Sequence, residues 1–109
     1  MSSQASAETW RHVLPISKVE ADRLVRSRSD LVTFLADRFK QAFGAAVEET
    51  SVETFPGGLS VTLVADVKPH AKYNVWGHAT SRAFVEAGAE LPVSVIVRET
   101  KELLEPSRT

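Results

Sequence analysis

Asn74, His78 and Arg82 recur four residues apart. On a helix, that spacing stacks their side chains on one face. His70 and Lys72 precede them, where the start of a helix would add unpaired amides and a partial positive charge. The five residues together form a candidate site for an anion such as a phosphate or carboxylate, or for the backbone of a single-stranded RNA. They also meet the needs of an amphipathic helix's solvated face. Metal chemistry finds less support. His12, His70 and His78 are the only imidazoles and there is no cysteine. Positions 70 and 78 stand two helical turns apart, whereas a zinc site needs three or four convergent ligands, so no metal and no cofactor is assigned. No G-x-S-x-G, H-E-x-x-H, G-x-G-x-x-G or P-loop spacing occurs, and no residue is assigned as catalytic. Glu48, Glu49 and Glu53 read as a solvated strand edge rather than as paired acid and base.

The elements that would carry these residues follow from periodicity. Ser17 with Glu20 has capping-box spacing, and apolar residues then recur at threes and fours from Ala21 to Phe43 until Gly44. This predicts near-continuous helix over 18–43, with Ser27 and Asp30 marking a place for a break. Residues 46–55 hold β-branched side chains in imperfect alternation, the pattern of an edge strand or a bulged one. Pro56-Gly57-Gly58 predicts a hairpin turn in which glycine takes positive φ. Leu59, Val61, Leu63, Ala65 and Val67 then alternate with polar positions, the clearest strand in the chain. Tyr73, Trp76, Thr80, Phe84 and Ala87 predict a second helix ending at Gly88, and Val93, Val95 and Val97 a final strand. Gly77 inside that helix costs roughly 1 kcal/mol against alanine, so its presence points to close approach by another backbone or to a kink. Alternation from Trp10 to Ile16 adds a weak first strand.

The chain of 109 residues is then one α+β domain over 10–100, between a polar tail at 1–9 and a C-terminal tail at 101–109 with one helical turn at most. The expected architecture is an antiparallel sheet with two helices packed on one face, in the order β(weak)-α-β-β-α-β. It resembles the ferredoxin-like sandwich or, without the first strand, the KH-like one. Such superfolds host many activities and carry little functional weight.

Composition narrows the partners. A net charge of −1 argues against a double-stranded DNA binder, and no apolar run is long enough for a membrane span. The absence of cysteine fits the cytoplasm. Arg23, Arg26 and Arg28 form one basic cluster, interleaved with Glu20, Asp22 and Asp30, and Lys68, Lys72 and Arg82 form a second. A KH-like grip on RNA would use the latter with His78, but lacks the G-x-x-G clamp. Val64 and Ile96 fall on the strand positions facing away from the core, and Val85 interrupts the polar face of the second helix. A partly apolar sheet face commonly finds cover in a second copy. The leading expectation is therefore a small non-enzymatic module that forms a homo-oligomer or takes a protein partner, with Val64, Val85 and Ile96 at the interface. The alternatives are RNA binding, or a small-ligand sensor or cofactor-free enzyme with a pocket near Trp76 and His78.

Overall fold

Two serines start the first two helices. Ser17 is extended and its Oγ accepts from the Glu20 N–H at 3.1 Å, opening α1, Lys18–Val25. Ser27 is also extended and accepts from the Asp30 N–H, opening α2, Arg28–Phe43. The near-continuous helix expected over 18–43 is thus two helices. Arg26 and Ser27 donate back to Arg23 and Leu24 and close α1, and the second capping serine then satisfies the amides of a new start. Gly44, at φ 73°, ends α2 in the left-handed conformation that glycine adopts without steric cost.

The computed structural model describes residues 16–100, and among these it is an α+β arrangement of three helices and one three-stranded mixed sheet. Strands β1, Val47–Phe55, and β2, Gly58–Ala65, form the expected antiparallel hairpin. Helix α3, Ala71–Ala87, leads to β3, Val93–Glu99, in sheet order β1-β2-β3. Here the expectation of a wholly antiparallel sheet is corrected: β3 runs parallel to β2, pairing Leu59 with Val93, Val61 with Val95 and Leu63 with Val97. Alternation specifies which face a side chain takes but not strand direction. The 17-residue helix between the two strands is the long crossover that a parallel pair requires. The weak strand expected from Trp10 lies, apart from Ile16, outside the described residues, as do both tails.

The hairpin turn also differs from expectation. Neither Gly57 nor Gly58 has left-handed backbone. Gly58 is instead needed for proximity, because a Cβ there would lie 2.7 Å from the Pro92 carbonyl oxygen. Strand β1 is both edge and bulged: its register shifts between Val47 and Glu49, and Glu48 accepts from the Thr100 hydroxyl at 2.8 Å. Most of β1 is exposed, its three glutamates included.

Buried side chains from β2 and β3 form one cluster with Leu24, Leu31, Leu35, Phe39, Trp76 and Phe84. Phe39 sits among Phe43, Tyr73 and Trp76, with ring centroids 4.9, 5.8 and 5.4 Å away. Polar contacts fasten α1 to the segment after α3. Asp22 accepts from Lys18 at 2.7 Å and from the Glu90 N–H at 2.8 Å, and Arg26 pairs with Glu90. The hydrogen bond from Lys18, then that from Glu90 and the charges of Lys18 and Arg26, hold the Asp22 carboxyl below its ordinary value of 3.8, against some desolvation. A carboxyl lowered by folding stabilises the protein above its unfolded pKa and loses that contribution as pH falls through its folded one. Asp22→Asn keeps an acceptor for Glu90 but cannot take up a proton. Its thermal unfolding temperature is expected to lie below wild type near pH 7, with the gap closing below about pH 4. A gap constant across the acid range would refute this.

Candidate functional site

Helix α3 places all five candidate residues, and it does not bring them together. His70 is its N-cap: extended backbone lets the ring Nδ1 accept from the Lys72 N–H at 3.0 Å, which commits that nitrogen to the helix start. The ring also meets Tyr73 edge-on at 6.4 Å. The Lys72 ammonium stands 5.3 Å from the Tyr73 ring centroid and 5.7 Å from that of Phe43, a cation–π arrangement. Asn74 is exposed and lines a small polar recess of about 250 Å³ with His70, Ile96, Arg98 and Glu99. His78 is exposed and borders neither this recess nor the one described next. Arg82, at the far end of the row, pairs with Glu86 at 3.8 Å.

The spacing therefore yields two places. His70 and Asn74 share one with Ile96. Arg82 borders a second, larger and mainly apolar recess of about 450 Å³, together with Phe55, Leu59, Val85, Pro92 and Val93. Sequence reasoning missed Phe55 as a surface residue. The available signal was an aromatic at a strand end beside a turn, where little can cover it. Trp76 and His78 line neither recess: Trp76 is wholly buried against Phe39 and Phe43, while His78 faces solvent.

What separates the two recesses is the approach of α3 to β3. A Cβ at Gly77 would lie 2.7 Å from the Val95 carbonyl oxygen, which is the close backbone approach that this glycine implied. One turn on, the Ser81 hydroxyl donates to the Gly77 carbonyl at 3.0 Å and accepts from the Val95 N–H at 3.1 Å. Helix and strand edge are stitched there.

The interface candidates fare unequally. Ile96 is 38% exposed and Val85 63%, but Val64 is only 6% exposed, although its strand parity points it away from the core. Val64 offers no apolar surface, a correction to the expected interface: alternation sets the direction of a side chain, not what surrounds it. The first basic cluster is occupied within the chain. Arg23 pairs with Asp30 at 3.1 Å and Glu20 at 3.8 Å, Arg26 with Glu90, and Arg28 donates to the Thr54 hydroxyl. Among the described residues, no three potential metal ligands converge and no helix is long and apolar enough to cross a membrane. No protein-family model, no curated protein and no solved structure matches the chain.

Proposed function

We propose that this chain is a small non-enzymatic module that associates with itself and serves in assembly, as an adaptor or in regulation. The observation that carries the reading is the apolar exposure of Val85 and Ile96 on the packed pair α3 and β3. They are two of the large apolar residues left exposed, with Val19, Phe55, Val75 and Leu91, and clustered apolar surface gains by being covered. In this reading the helices keep to one side of the sheet, and α3 presents Val85 to a partner. The KH-like arrangement suits it better than the ferredoxin-like one, because β2 and β3 pair directly with no strand between them. A cytoplasmic setting belongs to the same proposal, on the ground of a cysteine-free chain.

Sedimentation velocity over a range of concentrations tests it. Wild type is expected to run heavier than one chain, with Ile96→Glu raising the monomer fraction. A wild type that sediments as a single chain at every concentration would remove the proposal. RNA binding by Lys68, Lys72, His78 and Arg82 is the lesser reading, since Lys72 lies over aromatic rings and Arg82 beside Glu86. A small-ligand role is weaker still with Trp76 enclosed by rings.

A further inference from the structure

Of the three described helices, α1 and α2 open on serine hydroxyls and α3 opens on an imidazole. A hydroxyl keeps its lone pairs across the physiological pH range, whereas an imidazole does not. The His70 Nδ1 accepts from the Lys72 N–H at 3.0 Å, and only the neutral ring can do so, because the imidazolium carries N–H at both nitrogens. Nothing else in the turn takes over that role. Helices α1 and α2 hold Glu20 and Asp30 in their first turns, but the first turn of α3 has no acidic residue to offset a positive charge at the positive end of the helix dipole. The ring is exposed, so a proton reaches it without opening the fold.

The neighbouring charges do not favour a protonated ring either. On its own helix lies Lys72, whose ammonium stands over the rings of Tyr73 and, from α2, Phe43. Strand β3 brings Arg98 and Glu99 to the recess that His70 lines, and Asp66 and Lys68 lie in the segment leading to it. Cations thus match or outnumber carboxylates around the cap.

We propose that His70 is an acid-sensitive latch on the start of α3. Protonation turns Nδ1 from acceptor to donor, so two N–H groups face each other where a hydrogen bond stood, and the turn that begins at Ala71 opens. Lys72 then leaves its place over the rings, and Asn74 no longer walls the polar recess. The opening stops at Trp76, which is wholly buried, and beyond it Ser81 still fastens the helix to Val95. The cap is present above the range in which imidazoles titrate, about pH 6.5, and is lost below it.

Backbone Cα chemical shifts, followed as pH falls from about 8 to about 5 with the His70 ring resonances recording its own protonation, test the latch. In the wild type, Ala71 and Lys72 are expected to lose roughly half or more of their helical displacement in step with the ring, the scale of a lost cap, while Trp76 and Phe84 keep theirs. His70→Asn and His70→Ser supply caps that do not titrate, and their shifts at Ala71 and Lys72 should stay constant. His78→Gln, altered at an exposed histidine of the same helix, should respond as the wild type does. Constant wild-type shifts while the His70 ring protonates, a ring that stays neutral until the whole domain unfolds, or an equal loss in the Asn and Ser variants would each overturn the proposal.

Discussion

Phe39→Ala is expected to lower unfolding free energy by about 3–5 kcal/mol, the usual cost of removing a large ring from a core that cannot collapse around the space. Phe39 is fully buried and touches three other aromatic rings, carried by two helices. Phe43 reaches it from the same helix, and Tyr73 and Trp76 from α3. Loss of the ring therefore removes its links to Tyr73 and Trp76, leaving Phe43 and Phe34 to bridge α2 and α3. At about 4–8 °C per kcal/mol for a domain of this size, the melting temperature should fall by about 12 °C or more. Phe39→Leu, which retains most of the volume, should recover over half of the loss in chemical denaturation. An alanine variant within about 1 kcal/mol of wild type would show that this aromatic centre is not what joins the helices.

Gly77→Ala sets two effects of opposite sign against each other. Alanine favours a helix interior by roughly 1 kcal/mol over glycine. At position 77 its methyl group would meet the Val95 carbonyl oxygen at 2.7 Å, and that oxygen belongs to a strand backbone with little freedom to retreat. Overpacking of this kind typically costs about 1–3 kcal/mol, so net destabilisation is expected. The hydrogen bonds of Ser81 to the Gly77 carbonyl and the Val95 N–H should loosen with it. Denaturant unfolding gives the sign and amide exchange at Val95 gives the place. A more stable alanine variant would mean that the strand yields freely.

The reason Gly77 could be read in advance is that a glycine inside a strong helical pattern has few explanations, and close approach is one. The caps were legible for a similar cause: Ser17 with Glu20 and Ser27 with Asp30 carry their hydrogen-bond partners within four residues. Strand direction was not, because the alternation of Leu59, Val61 and Leu63 is the same whether Val93, Val95 and Val97 run with them or against them. Gly58 was correctly marked as a constrained glycine but for the wrong reason, since Pro92, 34 positions away, imposes the constraint. Val64 shows the same limit, as its parity was local and its burial is not. For the candidate site, the row Asn74, His78 and Arg82 was visible in spacing. Its division between two recesses depends on where β3 meets α3, which no local pattern encodes.

The stitching of Ser81 to Val95 has a consequence for how the protein behaves in concentrated solution. Sheets extend into fibrils by recruiting strands at an open rim, and here one rim is blocked by a helix fastened directly to it. At the other, two β1 strands paired antiparallel about Ser51 would set Glu49 of one against Glu53 of the next, and like charges directly opposite repel. Cross-β stacking is thus obstructed sterically on one flank and electrostatically on its opposite. Exposed apolar residues such as Val85 and Ile96 are thus carried on a fold whose two sheet rims both disfavour further strands.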